Sequence, residues 1–258
     1  MSLPAGSTIG IIGGGQLGRM LAISAARLGY RTVVLEPQPD CPAAQVANRQ
    51  ITAAYDDPAA LAELAAASYV ITYEFENVPV AAASALADKA SVYPPARALE
   101  VAQDRVTEKT FLNGIGIATA DFRPVDNDDD LTAALKAFGG SGILKTRRMG
   151  YDGKGQRVFR NMEAGGFAGT CEAMGNVPLI LESCGPFARS ISMFAARGLD
   201  GAVASYDPAE NVHRNGILHT STLPAGIRPE TAAAARAAAA RILSALDYVG
   251  VIGVEFFV

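Results

Sequence analysis

Two glycine-rich stretches of the sequence could hold phosphate groups. The first, GIIGGGQLGRM, follows an apolar run and opens an amphipathic one, and Gly13, Gly15 and Gly18 fit the pattern G-x-G-x-x-G. Glycines let the backbone approach a ligand, and a helix N-terminus favours an anion. Glu36 ends the next predicted strand, near the expected position of a ribose-binding acid. These residues leave a dinucleotide, another phosphate ligand and a purely structural turn as alternatives.

The second stretch, LKTRRMGYDGKGQ, combines glycines with cations. Lys145 lies in a predicted strand, and the hairpin that follows carries Gly150, Tyr151, Asp152, Gly153, Lys154 and Gly155. Backbone N–H groups in such a loop can cradle phosphate oxygens, and lysines supply positive charge. The alternative is an exposed β-hairpin with turn glycines. A hydride-transfer enzyme has no evident use for a second phosphate loop this far from the first.

Three single side chains are further candidates. Glu182 closes the apolar strand VPLILES, where it could bind an adenine edge or lie on the surface. His213, in ENVHRNGI, is one of two histidines and could be structural. Glu255 lies in GVIGVEFFV, and a carboxylate in so apolar a strand costs free energy unless it is paired or bound to a metal. The sequence therefore favours a functional role for Glu255.

Composition narrows the classes of protein. The chain has 258 residues, 50% of them hydrophobic, and a formal net charge of -4, which argues against a general nucleic-acid binder. The cysteines Cys41, Cys171 and Cys184 form no zinc pattern, so we expect a reducing, cytoplasmic setting. No signal peptide is predicted. No apolar run approaches the roughly 20 residues that span a bilayer, so we expect no membrane partner.

The chain must fold so that these residues are brought into position. Over about the first 100 residues, strand and helix signals alternate, which predicts a parallel, doubly wound sheet. Beyond Pro95 the pattern changes. RALEVAQDRVTEKTFLNGIG predicts one helix, and FRPVDNDDD a polar loop whose aspartates lie in solvent and cap the helix LTAALKAF. Further strands follow, then an Ala-rich helix and a buried strand, VGVIGVEFFV.

Six segments, in this order, resemble one enzyme family: GGGQLGRM, YEFENV, QDRVTEK, LKTRRMGYDGKGQ, ENVHRNGIL and DYVGVIGVEFFV. The sequence is similar to the N5-carboxyaminoimidazole ribonucleotide synthetases, ATP-grasp ligases of de novo purine synthesis. The resemblance implies an α/β fold, with a Rossmann-like parallel-sheet domain over residues 1–98. It further implies an ATP-grasp α+β fold with a small lobe over 99–185 and the start of a large lobe over 186–258. The implied reaction is carboxylation of aminoimidazole ribonucleotide by bicarbonate, through carboxyphosphate.

The resemblance also implies which residues form the sites. The residues implied to bind ATP are Arg105, Lys145, Gly150, Tyr151, Asp152, Gly153, Lys154, Gly155, Gln156, Glu182, Ser183, Cys184, Gly185, Ser190 and His213. The implied catalytic residues are Tyr151, Asp152, Lys154 and His213. The residues implied to bind the ribonucleotide are Gly15, Gln16, Leu17, Glu74 and, as second choice, Glu76. Glu255 matches a carboxylate that binds Mg²⁺. The first glycine loop would then hold the ribonucleotide rather than NAD.

Two departures from the family pattern are expected to matter. Ser190 stands where the family commonly has a ribose-binding Glu, and a hydroxyl binds a ribose more weakly than a carboxylate. The sequence ends before the family's later metal-binding and basic segments, so the resemblance implies a truncated chain. We expect these 258 residues alone to bind ATP weakly and to show no measurable carboxylation, and the longer parent protein to be active. An NAD-dependent oxidoreductase and a non-catalytic nucleotide-binding fragment are the alternatives. The family also implies a homodimer.

Overall fold

The computed structural model describes residues 3–150, 155–160, 167–185, 187–214 and 217–258. The chain divides into two compact units. Unit 1 consists of Met1–Glu100, Ala196–Val203 and Leu243–Gly250. Unit 2 consists of Val101–Ala195, Ala204–Ile242 and Val251–Val258. Among the described residues, no helix combines the length and the apolar character that crossing a bilayer requires.

A five-stranded parallel sheet forms the centre of unit 1. Its strands are β1 (Thr8–Ile12), β2 (Arg31–Leu35), β3 (Arg49–Ile51), β4 (Val70–Tyr73) and β5 (Ser91–Val92). They lie in the order β3-β2-β1-β4-β5, and all four pairings are parallel. The connecting helices are α1 (Gln16–Arg27), α2 (Pro58–Ala67) and α3 (Val80–Ala87). The predicted doubly wound sheet is therefore confirmed.

The core of unit 1 explains why these segments form strands and helices. Ile12, Leu35, Leu64, Ile71 and Leu86 are completely buried in one cluster, so three strands and two helices share it. Helix α2 begins after Asp57, because the Asp57 carboxylate accepts hydrogen bonds from two N–H groups of its first turn. The central strands are apolar on both faces because helices cover the sheet on both sides.

Unit 2 contains helix α5 (Arg105–Gly114) and a four-stranded antiparallel sheet. Helix α4 (Ala96–Ala102), most of which belongs to unit 1, precedes α5. The strands are β6 (Phe122–Val125), β7 (Gly142–Thr146), β8 (Gln156–Phe159) and β9 (Leu179–Glu182), and helices α6 (Asp128–Ala137) and α7 (Thr170–Ala173) accompany them. The order is β6-β9-β7-β8. Leu131, Leu135, Leu144, Leu179 and Leu181 form its buried core.

A further sheet contains the later strands. They are β10 (Ser190–Arg197), β11 (Val203–Ser205), β12 (Ala209–Arg214), β13 (Ile217–Thr222) and β14 (Gly250–Phe257). The order is β11-β10-β12-β13, and β14 also pairs with β10. The Ala-rich helix α8 (Pro229–Ala245) precedes β14, as predicted.

Several expectations from the sequence are wrong. The helix predicted from residue 97 to 116 is two helices, because Asp104 accepts the N–H groups of Val106 and Thr107 and starts a second one. The segment Phe122–Val125 is a strand rather than a loop, because it pairs along its whole length with β9. The Asp128 carboxylate does not simply lie in solvent, since it accepts hydrogen bonds from the N–H groups of Gly169 and Cys171.

Strand β14 also differs from the prediction. The sequence predicts a buried strand, but its side chains alternate between half-buried and exposed. Val251 is 67% exposed and Phe257 is 68% exposed. Glu255 lies on this same exposed face, so its carboxylate does not bear the cost of burial from which a functional role was inferred.

Candidate active site

The first candidate site is the glycine loop between β1 and α1. Strand β1 ends at Ile12, and α1 begins at Gln16 with Gly15 as its N-cap residue. Gly13 has a φ of +101°, in a region that L side chains rarely adopt. Gln16 and Leu17 point outward and are exposed. The loop therefore presents two exposed side chains at the carboxyl end of the central strand.

Two glutamates from the neighbouring strands bind this loop. Glu74 follows β4, and its Oε1 accepts the Gly15 N–H at 2.6 Å while its Oε2 accepts the N–H of Gly18. Because Gly15 has no side chain to cap α1, the Glu74 carboxylate acts as the cap from 59 residues away. Glu36 follows β2, and its Oε2 accepts the Gly14 N–H at 2.9 Å.

Close packing against Glu74 explains three of the glycines. A Cβ atom would lie 2.5 Å from the Glu74 Cγ at Gly13, 2.9 Å from Oε1 at Gly15 and 2.9 Å from Oε2 at Gly18. Such distances are shorter than real contacts of a Cβ atom, so a side chain at any of these positions would displace the carboxylate. The glycines of the pattern G-x-G-x-x-G thus leave room for a carboxylate of the protein itself.

The partners of Glu36 argue against a dinucleotide. Its Oε2 also accepts the Tyr55 O–H at 2.5 Å, and its Oε1 accepts the Gln38 N–H at 3.1 Å. Burial, together with the hydrogen bond to Glu36, raises the pKa of Tyr55, so this phenol stays a donor. The carboxylate expected near an NAD ribose is therefore already bound by the protein.

The second candidate site is a charged cluster in unit 2, centred on Glu182. Glu182 ends β9 and is 8% exposed. Its Oε2 lies 2.8 Å from Lys145 Nζ on the neighbouring strand β7, and its Oε1 lies 3.6 Å from Lys109 Nζ on α5. Oε1 accepts no hydrogen bond from the described residues. The cluster thus joins a buried carboxylate to two ammonium groups and leaves one buried acceptor atom unsatisfied.

Electrostatics keep this carboxyl group ionised. Burial alone would raise the pKa of Glu182, but the charge and hydrogen bond of Lys145 and the charges of Lys109 and Arg105 outweigh it. The pKa of Glu182 is therefore lowered. Three cations surround one anion, so the cluster carries an excess of positive charge that suits a polyphosphate ligand.

The other residues that the sequence predicted for the nucleotide site lie in or next to β8 and in the segments after β7 and β9. Tyr151, Asp152, Gly153 and Lys154 lie outside the described residues. Gln156 is opposite Lys145 in the antiparallel pair of β7 and β8, which confirms the predicted hairpin strands. Ser183 is half-buried, and Cys184 and Gly185 are exposed after β9. Gly150 is half-buried, and Gly155 has a φ of +68°.

Three further residues that the sequence predicted for the sites are Ser190, His213 and Glu76. Ser190 is buried at the start of β10, opposite Asn211 of β12. His213 is exposed on β12, at a shift of register between Val212 and His213. Glu76 is exposed and accepts a hydrogen bond from the Asn77 side chain at 3.2 Å. Across the described ranges, no three His, Cys, Asp or Glu side chains group closely enough to hold a metal ion.

The sequence interpretation missed Lys109. Lys109 follows Arg105 by four residues on α5, so both side chains lie on one face of the helix. That spacing was visible in QDRVTEK and would have predicted a second cation beside Arg105.

Comparison with known proteins decides the family. The family model of the ribonucleotide synthetase preATP-grasp domain matches residues 6–103, and the family model of the ATP-grasp domain matches residues 110–258. The N5-carboxyaminoimidazole ribonucleotide synthase of Brucella melitensis is 63% identical over 257 residues, which is all of this chain and 71% of that protein. This chain belongs to that family. The fold class expected from the sequence is thereby confirmed, and the NAD-dependent oxidoreductase is not supported.

Solved structures of the family agree with this assignment. The Staphylococcus aureus N5-carboxyaminoimidazole synthetase complexed with ADP superposes with a TM-score of 0.92 at 37% identity, covering 99% of this chain and 68% of that one. The Aspergillus clavatus enzyme, solved with ADP and 5-aminoimidazole ribonucleotide, gives a TM-score of 0.84 at 26% identity, covering 98% of this chain and 66% of that one.

Proposed function

We propose that this protein uses ATP to carboxylate 5-aminoimidazole ribonucleotide with bicarbonate, forming N5-carboxyaminoimidazole ribonucleotide, ADP and phosphate. The observation that carries the proposal is the 63% identity to the Brucella synthase along the whole chain. The relatives solved with ADP and with the ribonucleotide support the same pair of ligands. The cation cluster around Glu182 supplies the chemistry that a nucleotide polyphosphate needs.

The cations of unit 2 would act on the phosphoryl transfer. A bicarbonate oxygen attacks the γ-phosphorus, the bond to the ADP oxygen breaks, and carboxyphosphate forms. Arg105, Lys109 and Lys145 offset the negative charge on the transferring group. Carboxyphosphate then breaks into CO₂ and phosphate, and the exocyclic amine of the substrate attacks CO₂ and loses a proton. We assign Tyr151, Asp152, Lys154 and His213 to these later steps.

The glycine loop of unit 1 would hold the ribonucleotide. Gly15, Gln16 and Leu17 form the start of α1, and the Glu74 carboxylate binds the same turn. A substrate placed against this turn would therefore meet Glu74. Glu76 is exposed on the same segment and is the second choice. Glu74 is the better candidate because two backbone N–H groups fix its position and still leave each of its oxygens one acceptor site, whereas Glu36 already accepts three hydrogen bonds.

The unsatisfied Oε1 atom of Glu182 fits a bound nucleotide, because a buried acceptor without a donor is costly until a ligand supplies one. We assign the ATP-binding role to this carboxylate, to Ser183, Cys184 and Gly185 after it, to Ser190 and to the stretch from Gly150 to Gln156. Mg²⁺ offsets phosphate charge when it is bound. Glu255, which is exposed, could contribute one of the one or two carboxylates that such an ion takes beside nucleotide phosphates.

We also retain as proposals the domain limits 1–98, 99–185 and 186–258, a cytoplasmic location and a homodimer. The support for these is the family membership of the chain.

The experiment uses the full-length parent protein, because these residues cover 71% of the Brucella synthase. It measures ATP and NADH binding separately by calorimetry, and then phosphate release. We expect ATP to bind and NADH not to bind. Phosphate release should require both aminoimidazole ribonucleotide and bicarbonate. NADH binding without ATP binding would overturn the proposal. So would phosphate release that does not depend on aminoimidazole ribonucleotide or does not depend on bicarbonate.

A further inference from the structure

The start of helix α5 and the end of strand β7 meet at one buried carboxylate. Asp104 is 5% exposed, and its Oδ1 caps α5 by accepting the N–H groups of Val106 at 3.0 Å and Thr107 at 3.3 Å. The same carboxylate receives the Arg147 guanidinium, with Nε 3.1 Å from each oxygen and NH2 2.9 Å from Oδ2. Arg148 Nε lies 3.4 Å from Oδ2.

Backbone contacts reinforce this junction. The Arg105 N–H donates to the Arg147 carbonyl at 3.1 Å, and the Arg105 guanidinium contacts the Gly150 carbonyl at 3.5 Å. Arg147 directly follows β7, which carries Lys145, and Gly150 opens the glycine-rich stretch. The contacts around Asp104 therefore connect the helix that carries two cations to the strand that carries the third.

We propose that Asp104 is a positioning residue for ATP. Through Arg147 it holds the first turn of α5, and with it Arg105 and Lys109, in register with Lys145 and the start of the glycine-rich stretch. This inference rests on the proposed function, because it presumes that these cations bind the nucleotide phosphates. Asp104 itself contacts no reacting atom. Its effect on ATP comes from fixing the distances between cations that belong to two different elements.

A helix cap alone would not require this arrangement. Asp57 gives α2 the same cap, accepting the N–H groups of Ala59 and Ala60 at 2.9 Å each. Among the described residues, no arginine or lysine pairs with Asp57, whereas Asp104 pairs with two arginines. Burial alone would raise the pKa of Asp104, but the hydrogen bond and charge of Arg147, together with the N–H groups of Thr107 and Val106, outweigh it and lower the pKa. The carboxylate therefore stays charged and holds Arg147.

The test uses a variant that removes the charge of Asp104 but keeps a side chain that can cap α5. Asparagine caps helices about as well as aspartate, so Asp104→Asn removes the ion pair with little effect on the start of α5. We expect the KM for ATP to rise by about tenfold, the usual order for losing a charge-assisted contact, with the KM for aminoimidazole ribonucleotide nearly unchanged. Asp57→Asn is the matched control and should leave both values unchanged.

Two further variants keep the test decisive if Asp104→Asn does not fold. Arg147→Lys keeps the charge but loses the two-pronged guanidinium geometry, and it should raise the KM for ATP in the same selective way. The double variant Asp104→Asn, Arg147→Lys should be no worse than the stronger single variant, because both changes break one contact.

The outcomes separate the two proposals. If the wild-type protein does not bind ATP, the proposed function fails. If it binds ATP and the folded Asp104→Asn and Arg147→Lys variants bind it equally well, only the positioning role fails. A lower thermal midpoint with an unchanged KM for ATP would show that Asp104 serves stability alone.

Discussion

The Glu182 carboxylate and the Lys145 ammonium form an ion pair across two neighbouring strands, with Oε2 and Nζ 2.8 Å apart. Lys145 is opposite Ile180 in the register of β7 and β9, so Glu182 is its diagonal neighbour on the same face of the sheet. Removing one partner of a buried pair leaves an uncompensated charge, so we expect changes at this pair to affect both ATP binding and stability.

The first prediction concerns Lys145. Lys145→Met should weaken ATP binding by roughly ten- to a hundredfold, because a charge-assisted contact contributes about 1.5–3 kcal/mol and about 1.4 kcal/mol corresponds to a factor of ten. Calorimetric titration with ATP provides the measurement. Lys136→Met, at an exposed lysine in the last turn of α6, is the control and should change the affinity little. Equal affinities in the two variants would remove Lys145 from the site.

The second prediction concerns pH. Lys145 holds the pKa of Glu182 below the ordinary value of about 4.3, so the unfolded chain binds more protons at low pH. The stabilising effect of the ionised carboxylate is complete above that ordinary value and is lost as the pH falls through the folded-state pKa. In urea unfolding, the advantage of the wild type over Glu182→Gln should be steady near pH 7 and shrink below about pH 4. An advantage that grows in acid would contradict the lowered pKa.

The sequence predicts the elements that depend on local patterns and misses those that depend on distant partners. The apolar strands and their alternation with helices are local signals, and the parallel sheet of unit 1 followed from them. The break between α4 and α5 did not, although the cap that causes it is local; only the contact of Asp104 with Arg147, 43 residues later, depends on the fold. The sequence predicts a loop at β6 because the strand's partner, β9, is more distant still, with paired residues 54 to 60 positions apart.

The same limit applies to the sites. Lys145 and Glu182 could be chosen by residue type and position, but their pairing depends on the register of β7 and β9. The position of Glu36 after a strand predicts a ribose-binding acid, whereas in the structure its carboxylate accepts hydrogen bonds from the Gly14 N–H and the Tyr55 O–H. The apolar neighbours of Glu255 predict a functional role for its carboxylate, but Glu255 lies on the exposed face of β14. Periodicity identifies a strand without telling which of its faces is covered.

The third prediction separates two neighbouring glutamates. Glu74→Gln weakens the cap of α1, since the neutral amide binds the N–H groups of Gly15 and Gly18 less strongly than a carboxylate. We expect the free energy of unfolding to fall by about 1 kcal/mol and the KM for aminoimidazole ribonucleotide to rise about tenfold or more. Glu76→Gln, on the exposed neighbour, is the matched variant. Steady-state kinetics should show little change for it, and the reverse order would make Glu76 the substrate residue.

The last prediction tests why Gly18 is glycine. A Cβ atom there would lie 2.7 Å from the Gly13 carbonyl oxygen, and that backbone atom cannot move without reshaping the loop. Alanine normally stabilises a helix relative to glycine by up to about 1 kcal/mol, but Gly18→Ala should destabilise the protein by about 1–3 kcal/mol through overpacking. Gly114→Ala is the control, because a Cβ atom at Gly114 in α5 has nothing within 4 Å. Urea unfolding should therefore shift in opposite directions for the two variants, with Gly114→Ala unchanged or more stable. A Gly18→Ala variant as stable as the wild type would mean that the Gly13 carbonyl can move away at little cost.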